Sequence, residues 1–161
     1  MTDYAEMEAA MKKLKSHVPE HHRNNAPPAT DSTIKDFETK HDVVLPDSFK
    51  HFLKTFSFHS LFADVKLDSH GITNFYGLSD KPYDSSSLEC NYEIQVNENE
   101  IIPAKYIPFG DGGDSSFASI CCVTGDNYGK VYYSDNIQSD LELASNDFNS
   151  FIQNISTNTH L

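Results

Sequence analysis

The sequence predicts an α+β fold in a single domain, with helices packed against a largely antiparallel sheet. Apolar residues recur every three or four positions in the first third of the chain, which is the spacing of a helix face. Alternating apolar residues and turn-forming residues then fill the middle, as expected for strands joined by turns. A helical stripe returns near the end, and helices outside a run of strands favour an α+β arrangement. A length of 161 residues suits one domain.

The N-terminal third is predicted to form three helices. A stripe of apolar residues indicates a first helix over residues 3–17, and a linker completes the segment to residue 29. The second helix is predicted over Thr30–His41. The third covers Leu45–Phe56, where Pro46 suits the first turn because its missing N–H would have no helical partner there.

The middle of the chain is predicted to alternate between strands and irregular structure. Leu61–Leu67 places its apolar residues on one face, which indicates a half-buried strand. Residues 68–91 are rich in Ser, Asp, Gly and Pro and are predicted to form a long irregular connection, a kind of segment that often carries function. Apolar residues alternate again across Tyr92–Val96, which predicts another strand.

A hairpin and a final helix complete the predicted fold. Phe117–Val123 is mostly apolar and fits a buried strand, Thr124–Gly129 supplies turn residues, and Lys130–Tyr133 fits the returning strand. Leu143–Ile155 carries an apolar stripe and is predicted to be a helix. We expect the tail, residues 156–161, to fray.

In this order the segments resemble the SUKH superfamily, specifically its Smi/Knr-type branch. The matching segments are the helix pair, the stretch Ile107–Ser116 with its Gly-Asp step, the hairpin and the closing helix, which together span residues 30–155. That branch includes bacterial immunity proteins and a yeast regulator of cell-wall glucan synthesis. The resemblance implies a protein-binding domain without an invariant catalytic residue, and immunity proteins of this kind bind toxins through varied acidic and aromatic surfaces.

The chain is strongly acidic. Its 24 Asp and Glu residues against 12 Lys and Arg residues give a formal charge of −12. Such a surface repels nucleic acids and anionic membranes and attracts basic surfaces, so we expect a basic protein partner and neither nucleic acid nor membrane. The alternative is that the charge only keeps the protein soluble.

Cysteine usage and hydropathy favour a cytoplasmic location. The odd number of cysteines, Cys90, Cys121 and Cys122, and the lack of a CxxC pair favour reduced thiols. No apolar run approaches the ~18 residues that a membrane span needs, and the first ten residues do not have the pattern of a signal peptide. The sequence does not determine the oligomeric state.

The sequence contains no familiar catalytic motif. GxSxG, HExxH, P-loop and GxGxxG patterns are all missing, so we predict neither an enzyme nor a cofactor. The eight histidines suit surface or linker positions, with a metal or catalytic role as the lesser alternative. His41 and His51 lie on predicted helices, and the pair His21 and His22 could bind a transition metal weakly. No metal centre is predicted.

Carboxylates and tyrosines near predicted turns are the candidate partner-binding residues. The stretch Asp111–Asp114 could be a structural glycine turn, a calcium loop or an acidic loop facing a partner, and the resemblance favours the last. The acids of the irregular middle could form a contact surface or a solvated face. Tyrosine beside carboxylates suits contact with an Arg-rich partner, and an ordinary sheet-edge role is the alternative. The candidates are Asp64, Asp68, Asp80, Asp84, Asp111, Asp114, Asp126, Tyr128 and Tyr132.

These features lead to the hypothesis of an immunity protein. It would bind a cognate polymorphic toxin, with a nuclease as one candidate, and neutralise it by occluding a basic surface. The alternative is a regulatory module that binds cell-wall or signalling proteins. An enzyme of unrecognised type is the third hypothesis.

Overall fold

The computed structural model describes residues 4–16, 23–25, 28–55, 58–60, 72–78, 87–112, 116–135 and 140–158, and the helices and strands named below lie within them. The helices are α1 (Ala5–Ser16), α2 (Asp31–His41), α3 (Asp47–Thr55), α4 (Leu88–Tyr92), which continues as a π-helical segment over Glu93–Glu98, and α5 (Phe148–Asn158). The strands are β1 (Arg23–Asn25), β2 (Phe58–Ser60), β3 (Ile72–Phe75), β4 (Tyr106–Gly112), β5 (Ser116–Cys121), β6 (Val131–Asp135) and β7 (Glu142–Ser145).

Strands β3 to β7 form one antiparallel sheet in which neighbours in space are also neighbours in sequence. Ile107 of β4 pairs with Ile120 of β5, and Ala118 of β5 pairs with Tyr133 of β6. Strands β1 and β2 form a separate antiparallel pair. Helices at both ends of the chain and this sheet between them confirm the predicted α+β fold.

Phenylalanine side chains fill the space between the sheet and the helices. The ring centroid of Phe109 in β4 lies 5.8 Å from that of Phe49 in α3 and 5.2 Å from that of Phe148 in α5. Phe75 of β3 lies 5.6 Å from Phe52 of α3. All five side chains are at most 2% exposed. Aromatic pairs at these distances add to the stabilisation from burial, so this cluster joins α3, α5 and the sheet into one core.

The helix pair is confirmed, and its ends have clear physical causes. The Thr30 and Thr33 hydroxyls each accept a hydrogen bond from the other residue's backbone N–H, which satisfies free donors at the start of α2. Asp42 ends α2 in the left-handed conformation, with φ of 51°. Helix α3 begins at Asp47, directly after Pro46.

The strand predicted over residues 92–96 is wrong, because this segment is helical. The Ser87 hydroxyl accepts a hydrogen bond from the Cys90 N–H and so begins α4. Leu88 and the residues at both ends of the 92–96 range are buried, at intervals of four positions. Positions 92 and 96 therefore fit both patterns, because they lie on one side of a strand and also on one face of a helix. Apolar periodicity alone could not distinguish the strand from the helix.

Two segments predicted to lack regular structure contain strands. The connection over residues 68–91 includes β3, which pairs with β4, and the start of α4. The N-terminal linker includes β1, whose pairing with β2 adds backbone hydrogen bonds that its polar sequence does not indicate. The strand predicted over Leu61–Leu67 lies outside the described residues.

The closing helix begins and ends later than predicted. Glu142–Ser145 pairs with β6 as strand β7, so the helix starts only at Phe148. Asp147 caps it by accepting a hydrogen bond from the Ser150 N–H at 2.8 Å. The helix then continues to Asn158, into the segment predicted to fray.

Candidate partner-binding surface

The turn between β5 and β6 packs against the connection between α2 and α3. The Tyr128 hydroxyl donates a hydrogen bond to the Val44 carbonyl at 2.8 Å, although the two residues are 84 positions apart in sequence. Gly125 and Gly129 allow the turn because their φ angles of 130° and 82° disfavour residues with a Cβ. The predicted hairpin is confirmed, but Val123, expected within its first strand, lies beyond the end of β5.

The two segments that meet here carry exposed apolar and acidic side chains. Val44 is 60% exposed, Val123 is 40% exposed and Tyr128 is 37% exposed. Exposed carboxylates lie at the end of α2, at the start of α3 and within the turn. An apolar and aromatic centre with charged groups around it has the composition of a protein-binding surface. We call these residues the turn patch: Asp42, Val44, Asp47, Val123, Asp126 and Tyr128.

Tyr128 is the aromatic residue of the turn patch. Burial raises the pKa of Tyr128 to about 12, and the nearby Cys122, Asp47 and Glu38 act in the same direction. Its hydroxyl therefore stays protonated at neutral pH and can keep its hydrogen bond. Glu38 also accepts a hydrogen bond from the Leu45 N–H at 2.8 Å, which holds the helix connection in place beneath the tyrosine.

The carboxylates of the turn patch differ in their internal partners. The Asp42 carboxylate lies 3.4 Å from the Lys105 ammonium, but its side chain is 97% exposed, so this pair contributes little. Asp47 and Asp126 form no ion pair with a described residue. Their charges are therefore available to a basic group on a partner.

Asp111 lies in β4 and is held by neighbouring side chains. Its carboxylate accepts a hydrogen bond from the Asn74 amide at 2.7 Å and a second from the Tyr76 hydroxyl. Burial, together with the Asp111 charge, raises the pKa of Tyr76 above its ordinary value, so the phenol remains a donor. These bonds give Asp111 a structural role that the sequence did not indicate.

Tyr132 lies on the face of the sheet that carries Tyr106. The two rings form an edge-to-face pair with centroids 5.6 Å apart. Burial, with a smaller effect of Cys121, raises the pKa of Tyr132, whose side chain is half-buried. On the same face, the hydroxyls of Ser119 and Ser134 are buried and have no hydrogen-bond partner among the described residues.

The structure brings Asp126 and Tyr128 together and places Asp111 and Tyr132 elsewhere on the sheet. The remaining candidates lie outside the described residues: Asp64, Asp68, Asp80, Asp84 and Asp114. Sequence reasoning missed the other members of the turn patch because three of them come from the distant α2–α3 segment and the fourth, Val123, was expected inside a buried strand. They are Asp42, Val44, Asp47 and Val123.

A second cluster of titratable groups joins the end of α2 to α4. Oxygen Oε1 of Glu89 lies 2.7 Å from Lys40 Nζ and 2.9 Å from His41 Nε2. Glu93 lies 3.7 Å from the same ammonium. Burial acts to raise the pKa of Glu89, but the hydrogen bonds from His41 and Lys40 outweigh it, so the pKa lies below its ordinary value. Within the described part of the chain, His41, Glu89 and Glu93 have ligand atoms close enough to share a metal ion.

Among the described residues, no helix combines the length and apolar character that crossing a membrane requires.

Comparison with known proteins identifies a family for this chain. A search of the curated proteins found no match. The model of the SMI1/KNR4 family (SUKH-1) matches residues 28–154, a range that holds α2, α3, the five-stranded sheet and most of α5. The chain therefore belongs to the SMI1/KNR4 family (SUKH-1), whose domains are known as immunity or regulatory proteins rather than enzymes.

Proposed function

We propose that this protein is a cytoplasmic immunity protein that binds a cognate polymorphic toxin and neutralises it by covering a basic surface. The observation that carries the proposal is the turn patch, in which two packed segments, the α2–α3 connection and the β5–β6 turn, carry exposed apolar groups, a tyrosine and three carboxylates. Family membership supports protein binding as the mode of action. The function requires no bond chemistry in this chain.

The physical roles of the patch residues follow from their exposure. Covering Val44, Val123 and the ring of Tyr128 removes apolar surface from water, which stabilises a complex. Tyrosine is enriched among the residues that dominate binding energy at protein interfaces. Asp47 and Asp126 supply charge that attracts a basic partner and speeds association.

The other candidate acids contribute to the proposal through long-range attraction. A formal charge of −12 creates a field that steers a basic toxin towards the protein before contact. Asp64, Asp68, Asp80, Asp84 and Asp114 are proposed to belong to this field or to a wider contact. A nuclease is a suitable toxin class because its phosphate-binding surface is basic, and an acidic inhibitor would occlude that surface.

Co-expression with the toxic domain encoded beside its gene tests the proposal. We expect the chain to restore growth and to bind the purified domain, with an association rate that falls on the order of tenfold or more when salt is raised. Failure to bind that domain would refute the immunity function. Tight binding with an association rate that does not depend on salt would refute the electrostatic part alone.

Paired substitutions test the location of the contact. Val44→Asp combined with Tyr128→Ala should weaken binding on the order of 30-fold or more, the effect of losing about 2 kcal/mol at an interface hot spot. The control is Leu143→Asp, which places the same charge at another exposed apolar residue, 51% exposed and outside the turn patch. Equal losses in both proteins, each with an unchanged unfolding midpoint, would argue against the turn patch as the specific contact.

The family match also supports a second function, a regulatory module of the Smi1/Knr4 type that binds several cellular proteins. The two functions predict different partners. An immunity protein should recover one small toxic domain in an affinity purification from its own cells, whereas a regulator should recover several housekeeping proteins. The turn-patch variant should lose the partner in either case.

A further inference from the structure

The junction of α2 and α4 holds three side chains of the types that bind transition metals. His41 is in the last turn of α2, Glu89 is in α4, and Glu93 begins the π-helical segment that follows. Their ligand atoms all lie within 4.8 Å of one another. Two ligands that bind one Zn²⁺ ion at about 2.0–2.2 Å lie at most about 4 Å apart, so a small rotation of the partly exposed Glu93 side chain would complete the geometry.

From this geometry we propose that His41, Glu89 and Glu93 form a site for one divalent transition-metal ion such as Zn²⁺. Imidazole nitrogen and carboxylate oxygen are established ligands of Zn²⁺ and of its first-row neighbours. Three protein ligands leave a further position for water. The site does not depend on the toxin-binding function proposed above.

The histidine is already positioned for this role. Its side chain is 5% exposed, and its ring packs against both Phe37 and Tyr92, with centroids 4.6 and 4.5 Å away. These contacts restrict the ring, so Nε2 stays directed at Glu89, 2.9 Å away. A separation of that size suits two neighbouring ligands of one ion. Binding therefore requires little rearrangement of the most buried ligand.

The Lys40 ammonium contacts the same two carboxylates that would bind the cation. Its ammonium lies 2.7 Å from Glu89 and 3.7 Å from Glu93, and it balances their charge without the metal. The Lys40 side chain is 58% exposed, so it can turn into solvent when an ion replaces it. Lysine and metal should therefore compete, which distinguishes a metal site from a simple ion-pair network.

A bound ion would also fix the end of α2. Asp42, the first residue after α2, belongs to the turn patch, and its conformation depends on the position of the helix end. Metal binding would therefore hold one border of the proposed contact surface in place. This connection gives the site a structural role without any catalytic step.

Calorimetric titration with Zn²⁺ tests the proposal. The titrated protein carries His21→Gln and His22→Gln, so that this sequence-adjacent pair cannot supply the signal. We expect saturable binding of one ion per chain and a rise in the thermal unfolding midpoint with Zn²⁺ concentration. Co²⁺ should give the visible absorption of a nitrogen and oxygen ligand set.

Three variants in that background distinguish a metal site at this junction from a plain ion-pair network and from metal bound elsewhere on the chain. Glu93→Gln should weaken Zn²⁺ binding at least tenfold while the protein stays folded, because Glu93 has only a long contact with Lys40 and an exposed hydrogen bond from the Asn97 amide, which a glutamine can also accept. Lys40→Met should strengthen binding severalfold, because it removes the competing ammonium. His51→Gln is the matched control: His51 pairs with Glu8 at 2.7 Å but lies in no three-ligand cluster among the described residues, so binding should not change.

Three results would overturn the proposal. The first is the absence of saturable Zn²⁺ binding by the folded protein. The second is binding that Glu93→Gln leaves unchanged, since the ion would then lie elsewhere. The third is weaker binding after Lys40→Met, which would contradict the competition between lysine and metal and refute the site as described.

Discussion

Replacing Tyr76 with Phe tests whether the hydrogen bond from Tyr76 to Asp111 stabilises the folded protein. Tyr76 is 3% exposed, and its hydroxyl donates to one carboxylate oxygen of Asp111 while Asn74 donates to the other. The raised pKa of Tyr76 keeps the phenol protonated across the neutral range. The substitution removes the hydroxyl and leaves the ring, so core packing changes little.

The expected loss follows from the type of hydrogen bond. A hydrogen bond to a charged group contributes about 1.5–3 kcal/mol, and the half-buried carboxylate would keep only Asn74 and solvent as partners. We therefore expect Tyr76→Phe to lower the free energy of unfolding by about 1.5–3 kcal/mol. In a domain of this size each kcal/mol lowers the midpoint by about 2–4 °C, which gives a decrease of about 3–12 °C.

Thermal and urea unfolding followed by circular dichroism measure this change. Tyr132→Phe is the matched control, because the Tyr132 hydroxyl has no hydrogen bond with a described residue and its ring pair with Tyr106 survives. The control should differ from the parent by less than about 0.5 kcal/mol, because it removes no hydrogen bond to a described residue and keeps the ring. If Tyr76→Phe loses equally little and Asp111→Asn also leaves stability unchanged, the structural role of Asp111 is wrong.

Three further changes test the core, a helix start and the turn. Phe109→Ala removes a buried ring that contacts Phe49 and Phe148, so the free energy of unfolding from urea titration should fall by about 3–5 kcal/mol. Asp147→Ala removes the cap of α5 and should cost about 1 kcal/mol by the same measurement, whereas Asp147→Asn should retain most of it. The pKa of Tyr128 is raised to about 12 from the unfolded value of about 10. The protonated hydroxyl therefore contributes fully to the free energy of unfolding below about pH 10, and this contribution is lost as the pH rises through about 12. Tyr128→Phe should therefore show a smaller loss of stability than the parent over that range, measured by urea unfolding at each pH.

The sequence could predict those elements whose apolar pattern and boundaries agree. Helix α3 combines a proline before its first turn with a stripe that has only the helical period. The hairpin of β5 and β6 combines a buried strand with glycines that permit the turn. In both cases local residues determine the structure, so distant contacts do not change the assignment.

Prediction from the sequence failed where one apolar pattern fits both a helix and a strand. It also failed where a strand forms only because it pairs with another strand. Positions 88, 92 and 96 suit a helix, and 92, 94 and 96 suit a strand, so the choice depended on the Ser87 cap and on packing. Strand β1 is short and polar, and strand β3 is short with both polar and apolar residues. Each becomes regular through backbone pairing with another strand. Single-sequence patterns do not contain that information.

The candidate site was predictable only in part, for a related reason. Asp126 and Tyr128 lie in a recognisable turn, and their types suggested a contact surface. Val44 lies in a segment too short to show a period, and only the fold brings it to Tyr128. The cluster of His41 and Glu89 spans 48 positions, so no metal-binding spacing is visible in the sequence.

The environments of the carboxylates explain why total charge is a poor guide to the contact surface. Glu38, Glu89 and Asp111 each accept hydrogen bonds from groups inside the domain, and a partner would have to replace those bonds before it gained any new ones. Exposed acids without an internal partner among the described residues, such as Asp126, lose only water when a basic group arrives. Attraction at long range therefore depends on all the acids, whereas contact should concentrate where a free carboxylate adjoins exposed apolar surface. Within the described residues, the turn patch combines these two properties, which is the physical reason to place a basic partner there and not over Asp111.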